Sequence, residues 1–411
     1  MELKEDRYEL QGIPVTELAE KYGLPLYVYD TAIIERQYHK LVSAFSVKNL
    51  TINYACKALS NISILRFLRS LGAHADTVSL GEIHLCLKAG FKPEEIVFTP
   101  SAVSIEEYKM AMDIGVGINI DNLETLGYFA DHKINYPICV RINPHIMAGG
   151  NKKISTGHID SKFGISIHQL DAILELMDSA GLNIEGVHMH TGSDILDVEV
   201  FLQATDILFK AAAHFPDLNY IDFGSGFKVK YKPEDVETDI ALFGREMSRK
   251  FNDFCAKRGK DLTLMFEPGK FIVSESGTFL AKTNIIKHSP SNLFAGLDTG
   301  FNHLIRPMFY EAYHEIVNIS NPNGDKKYYS VVGYICETDN FAWNRPIPEI
   351  RVDDIIAFKN AGAYCFQMSS NYNSRVRPAE VMIYKGKDYL IREREDLTDI
   401  LRHQTDPVHF S

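Results

Sequence analysis

From Ile52 onward the chain keeps a beat that few folds can accommodate. Short apolar runs begin near Ile52, His74, Ile96, Gly117 and Ile138, at intervals of 22, 22, 21 and 21 residues. Between them apolar residues recur at helical spacing, as at Ile64, Phe67, Leu68 and Leu71, closed by Gly72 at a C′ position. Ser79-Leu80-Gly81-Glu82 and Ser104-Ile105-Glu106-Glu107 are capping-box patterns that open the next two helices. Further strand-like runs follow at Gly186–His190, Tyr220–Gly224 and Leu264–Pro268, which makes eight. A strand–helix unit repeated that often points to a closed parallel barrel more than to an open sheet.

The flanks read differently. Residues 1–25 are a polar lead-in with a helix at Pro14–Tyr22 ended by Gly23. Leu26–Asp30 is strand-like, and Ile34, Tyr38, Leu41 and Phe45 mark a helix before the first barrel strand. After about residue 275 come short runs such as Phe279–Ala281, Tyr328–Val332, Asp354–Phe358 and Val381–Tyr384 between Pro, Gly and Asn turns. A helix is expected near Tyr313 and another from Arg392. The expected fold is therefore an α/β (β/α)8 TIM-like barrel over residues 26–275, with 1–25 and 276–411 forming a C-terminal all-β, Greek-key β-barrel-like domain that ends in a helix. The polar loop His145–Asp160 is long for a connector and has the character of a lid.

A chain of 411 residues with 45% hydrophobic content has material for both domains. Its net charge of -11 is spread without acidic or basic blocks, which argues against a nucleic-acid partner. Met1–Glu9 is charged, so no signal peptide is expected, and no apolar run approaches a membrane span. The six cysteines are scattered without a Cys-x-x-Cys pair, so neither disulfides nor a metal framework is expected, and a reducing cytoplasm fits.

In a barrel of this kind the chemistry collects at the carboxyl ends of the strands. Lys57 ends the first, where its ammonium must be desolvated or reach outward. Taken alone it reads as well as a snorkelling surface lysine as it does as a Schiff-base lysine. Asp76 lies on the second strand, and Arg141-Ile142-Asn143-Pro144 ends the fifth. His190-Thr191-Gly192-Ser193, Gly224-Ser225-Gly226 and Glu267-Pro268-Gly269-Lys270 end the last three. Small residues after strands seven and eight suit a phosphate cradle. A lysine, a carboxylate, an aromatic ring and an anion cradle describe a pyridoxal 5′-phosphate site. Lys57 would form the imine and His190 would stack on the ring. Glu267 would face the pyridine nitrogen, keeping the ring an electron sink for a carbanion. Singly, Glu267 also reads as a buried structural acid and His190 as a core histidine.

Tyr54-Ala55-Cys56-Lys57-Ala58, His190-Thr191-Gly192-Ser193, Glu267-Pro268-Gly269-Lys270, Cys336-Glu337, Ala361-Gly362-Ala363-Tyr364 and Met368–Asn373 together resemble the diaminopimelate decarboxylases, whose fold is shared with alanine racemase and ornithine decarboxylase. The resemblance runs in order from about Leu26 to Pro378. It implies decarboxylation of meso-2,6-diaminopimelate to L-lysine by a homodimer with composite active sites. By that likeness Cys336 protonates the substrate α-carbon and Glu337 accepts the distal ammonium, both in the partner's site. Arg306 and Tyr310 bind the distal carboxylate, Tyr364 contacts the cofactor phosphate and the substrate, and Ser193 lines the cofactor. Residue chemistry agrees, since a substrate zwitterionic at its far end needs both a cation and an anion, and Arg306 with Glu337 supplies them.

Some positions depart from the family. Lys270 stands where arginine is usual, keeping the charge but losing the fork, which bears on its share of substrate-carboxylate binding. Ser225 replaces a glycine, Asp194 a glutamine, and Phe98–Ser101 and Thr338–Asn340 differ as well. Rival readings are a decarboxylase of a related basic or carrier-bound amino acid, a racemase of the same fold, and a non-catalytic cofactor carrier. Ornithine lacks the distal carboxylate that Arg306 would meet, and an alanine racemase places arginine, not Glu267, at the pyridine nitrogen.

Overall fold

Each apolar run of the repeating stretch forms a parallel strand in the computed structural model, which describes residues 1–146, 161–192, 194 and 196–407. The strands are β1 Leu50–Ala55, β2 His74–Thr77, β3 Ile96–Phe98, β4 Gly117–Ile120, β5 Ile138–Asn143, β6 Ile184–His188, β7 Tyr220–Asp222 and β8 Thr263–Phe266. Each pairs in parallel with the next in sequence, and β8 returns to β1 in the register Leu264↔Leu50 and Phe266↔Ile52. The ring is closed, which leaves these strands no open edge and aims all eight carboxyl ends at one mouth.

The helices between them begin and end where side chains satisfy their terminal groups. Ser79 Oγ accepts the Glu82 amide at 3.2 Å, and Ser104 Oγ accepts that of Glu107 at 3.3 Å. The Glu82 carboxylate reaches the Val78 amide at 2.8 Å, one residue outside the box that the sequence suggests. Such a cap is worth about 1 kcal/mol. Ile64, Leu65 and Leu68 bury one stripe of the helix Ile62–Ser70, and Gly72 follows it with φ +97°.

The chain divides into two units, residues 35–272, which hold the barrel, and residues 1–34 with 273–411. The second unit is a separate, mainly antiparallel β structure built on a 12-residue strand, β9, Gly277–His288. Its first half pairs with Ile355–Phe358 on one side and Leu26–Asp30 on the other, and its second half with Leu293–Leu297. Leu26–Asp30 also pairs in parallel with Ala379–Tyr384. Leu26, Val28, Leu280, Ala357, Val381 and Ile383 supply its core, with Val15 and Leu18 of the helix Val15–Tyr22 packed on it.

Three local expectations change. Leu26–Asp30, set by the sequence at the head of the barrel stretch, hydrogen-bonds within the β unit, because a strand buried on both faces carries no periodic sign of which sheet it joins. The helix near Tyr313 is replaced by a five-residue helix, Arg306–Tyr310, ended by Glu311 at φ +56°. The stretch to Arg392 is a strand, Lys387–Arg392, and the terminal helix is Leu397–Leu401, capped by Asp396. Among the described residues no helix is long and apolar enough to cross a membrane.

Candidate active site

At the barrel mouth β1 ends and the chain turns at once through Cys56–Ala58, which carries Lys57 to the lip. Its ammonium lies 3.2 Å from Asp76 Oδ2 on β2, with the lysine side chain 41% exposed and the aspartate fully buried. Burial and the charge of Glu267 push the Asp76 carboxyl up, and Lys57 offsets part of that. Opposite, Pro268 accepts the Ala55 amide at 3.2 Å, tying the end of β8 to the end of β1. A side chain at Gly269 would sit 2.9 Å from Ala58 Cβ and 3.2 Å from Ala55 Cβ, so only glycine allows that approach.

Glu267 is buried just past β8. His188 Nε2 on β6 lies 3.0 Å from Glu267 Oε2, while Glu267 Oε1 has no hydrogen-bond partner among the described residues. Burial pushes this carboxyl up, but the His188 imidazole bonded to it, with Lys57 and His190 nearby, outweighs burial and holds it down at about 2. Asp222 on β7 goes the other way, pushed well up by burial and by the charge of Glu267. Asn53 Nδ2 and the Gly224 amide donate to its two oxygens at 3.1 and 2.8 Å. At the mouth, then, the carboxyl of Glu267 is held down while those of Asp76 and Asp222 are pushed up.

His190 follows β6 by two residues. The Ser225 amide donates to its Nδ1 at 3.2 Å, which leaves the ring proton on Nε2. Burial, then the charges of Arg141 and Lys57, push its basicity well down, so the ring is neutral. Gly224 makes the contact possible, for at φ +60° a Cβ there would lie 2.6 Å from His190 Nδ1 and 2.7 Å from the Met189 carbonyl. Gly226, also at positive φ, completes the turn after β7. Lys270, next to Gly269 and nearly buried, pairs with Asp194. The two departures on either side of the mouth are therefore partners of each other.

Lys57, Asp76, His190, Gly224, Ser225, Gly226, Glu267, Gly269 and Lys270 all lie at these strand ends. Ser193 falls outside the described residues, as do 147–160 of the expected lid. Arg141, noted at the end of the fifth strand but given no role, is buried there too, as are His188 and Asp222, which the sequence did not single out. The alternation of His188 and His190 was the available signal, since a period of two puts both on one strand face.

In the β unit Cys336 and Glu337 are exposed on one loop. Tyr372 donates its hydroxyl to the Glu337 carboxylate, and Asn373 Nδ2 donates to Cys336 Sγ at 3.1 Å. Asn373 and Ser374 both hold φ values near +55°, at 56° and 54°, an uncommon pair for side chains with a Cβ. Beneath, the Asp339 carboxylate accepts the Phe301 and Ile335 amides at 2.7 and 3.0 Å, and burial pushes it up to about 6. Arg306 is buried at the start of its short helix and Tyr310 is half-buried at its end. Tyr364 is half-buried at φ +58°, a strained setting for an aromatic residue.

The profile of the family described as "Pyridoxal-dependent decarboxylase, pyridoxal binding domain" matches residues 31–274. A diaminopimelate decarboxylase of Methanothermobacter thermautotrophicus is 39% identical over 97% of the chain and 96% of its own length. A diaminopimelate decarboxylase of Helicobacter pylori, solved with L-lysine, shares 33% identity with a TM-score of 0.87, covering 94% of this chain and 98% of that one. One of M. jannaschii, in co-complex with L-lysine, shares 30% identity with a TM-score of 0.89, covering 99% and 98%.

Proposed function

Since the chain belongs to the diaminopimelate decarboxylase family of pyridoxal-dependent decarboxylases, we propose that it acts on meso-2,6-diaminopimelate with pyridoxal 5′-phosphate, releasing CO₂ and L-lysine as the last step of lysine biosynthesis. The observation that carries this reading is the mouth of the barrel, where one lysine amine and one ionised buried carboxylate occupy neighbouring strand ends.

The residues fit the cofactor. Glu267 Oε1 is a buried acceptor without a partner among the described residues, and it suits the protonated ring nitrogen of a pyridine. Gly224, Ser225, Gly226 and Gly269 offer a small-residue cradle for the phosphate, and the family resemblance assigns Tyr364 to the same phosphate. Lys57 is the amine for the aldehyde carbon, and Asp76 orients it. When bound, the cofactor supplies an electron-poor ring that takes up the pair left behind when CO₂ departs.

The remaining roles belong to this chain. Glu267 stays ionised and holds a proton at the ring nitrogen. His190, neutral and fixed by the Ser225 amide, presents a flat face without competing for that proton. Burial and the charge of Glu267 push the carboxyls of Asp76 and Asp222 up, with Lys57 offsetting part of the push on Asp76. Cys336 delivers a proton to the α-carbon, while Glu337 accepts the distal ammonium and Arg306 with Tyr310 takes the distal carboxylate. Lys270, held by Asp194, adds a cation for a substrate carboxylate. The exposure of Cys336 and Glu337 in the single chain supports a homodimer in which they serve a second copy's site. Six unpaired cysteines suit a reducing cytoplasm.

The test is direct: incubate the protein with pyridoxal phosphate and meso-diaminopimelate and measure lysine and CO₂. Lysine in excess of a Lys57→Ala control supports the reading, and its absence removes it.

A further inference from the structure

Arg306 opens the helix Arg306–Tyr310 with its side chain buried, and the chain then turns back on it. The Ala312 amide bonds the Arg306 carbonyl at 3.2 Å, and the backbone runs straight into the strand Ile316–Asn318. On the way it passes His314, which is 1% exposed. His314 Nε2 lies 3.1 Å from Arg306 Nη1, and His314 Nδ1 lies 2.9 Å from the Lys359 carbonyl.

These two partners leave one arrangement of protons. A carbonyl only accepts and a guanidinium only donates, so Nδ1 carries the hydrogen and Nε2 offers its lone pair to Arg306. Burial, and then the charges of Arg306 and Arg345, push the imidazole's basicity down to about 3, which keeps that lone pair available. The ring has little freedom to leave. Lys359 donates its amide to the Glu315 carbonyl at 2.9 Å, just outside the ladder in which Ile316 faces Phe358. The His314 carbonyl accepts Arg345 Nη1 at 3.1 Å, and the Arg345 guanidinium lies 3.8 Å from the Tyr313 ring. The Cys365 thiol, donating to the Ala363 carbonyl at 3.3 Å, flanks Arg306 on another side.

The choice of partner is informative. A carboxylate at the place of His314 would fix the guanidinium and also cancel its charge. A neutral imidazole fixes the guanidinium without adding a negative charge of its own beside it. From this geometry we propose that His314 is a positioning residue that aims the Arg306 guanidinium at the distal carboxylate of the substrate. This rests on the reading of Arg306 given above and adds a residue that the reading does not contain.

The test compares His314→Leu, His314→Asn, His314→Gln and Arg306→Ala in the full-length protein loaded with pyridoxal phosphate. The amide oxygen of glutamine falls where Nε2 does and still accepts from Arg306, whereas that of asparagine falls short. His314→Leu and His314→Asn should raise KM for meso-diaminopimelate by about tenfold with kcat within about threefold, the loss of one hydrogen bond to a charged group. They should weaken L-lysine binding similarly, since lysine keeps that end of the substrate. His314→Gln should stay within about threefold of the parent in both constants. Circular dichroism and melting check folding, and if His314→Leu does not fold, the Asn and Gln pair carries the comparison. An unchanged KM in His314→Asn, or equal losses in Asn and Gln, overturns the positioning role while a raised KM in Arg306→Ala keeps Arg306 in place. An unchanged KM in Arg306→Ala overturns the reading of Arg306 and the inference with it.

Discussion

Lys57 and Cys336 are the two residues that the proposed function asks to make or move covalent bonds, and the molecule holds them in opposite ways. Around Lys57 the ionisable partners are buried, and strand ends fix them through backbone amides and each other. Around Cys336 the partners Glu337, Tyr372 and Asn373 are all exposed, with Asp339 buried beneath them. The barrel mouth sets its own electrostatics, because in a poorly solvated site a displaced charge is costly. The loop sets geometry but not environment, and its hydrogen bonds compete with water until something covers them. A single chain therefore buries the groups around Lys57 and leaves those around Cys336 open to water, which is the contrast the proposed homodimer would account for.

The contrast breaks most visibly at Lys57. Lys57→Ala should abolish lysine production and the visible absorbance of bound cofactor together, read by assay and spectrum on one sample. Cys336→Ala should keep the absorbance and the melting temperature but lower kcat about 10²- to 10⁴-fold, the range for losing a positioned proton donor. Gly224→Ala probes the mouth's rigidity, for its Cβ would meet His190 and the Met189 carbonyl at φ +60°. Cofactor affinity should drop about tenfold or more, a loss to be read by fluorescence titration of the apoprotein.

Glu267 sharpens the comparison through pH. Its carboxyl is held at about 2 in the folded protein against an ordinary value of 4.5, so the unfolded chain binds that proton more readily. The stability it contributes is complete above about pH 4.5 and drains as pH falls toward 2. Over that window the melting temperature of the parent should fall more steeply than that of Glu267→Gln. The smallest effect belongs to the exposed loop. Asn373→Ala removes an N–H donated to Cys336 Sγ and should slow alkylation of that thiol by iodoacetamide about threefold, while Lys57 and the absorbance stay as they were.

The barrel was legible because its evidence is local. Each strand–helix unit carries its own period and its own caps, as at Ser79 and Ser104. Lys57, Glu267 and Gly224 were legible because a closed ring of parallel strands sends every carboxyl end to one mouth, whatever lies between. Leu26–Asp30 was not, since its partners lie some 250 and 350 residues further along, beside Gly277–Leu280 and Ala379–Ile383, and nothing within five buried residues names them. The roles of Arg141, His188 and Asp222 escaped for a related reason. Their charges act across strands, Arg141 on His190, His188 on Glu267 and Glu267 on Asp222, and one line of sequence shows no such neighbours. His314 is plainer still, because the ring nitrogen that matters is set by a carbonyl 45 residues away.

The account depends most on which lysine meets the aldehyde. The protein loaded with pyridoxal phosphate can be reduced with borohydride, digested, and the pyridoxyl group located by mass spectrometry. The group is expected on the peptide containing Lys57, and on that residue alone. A group on Lys270 or any other lysine, with Lys57 unmodified, would contradict the site described for the barrel mouth.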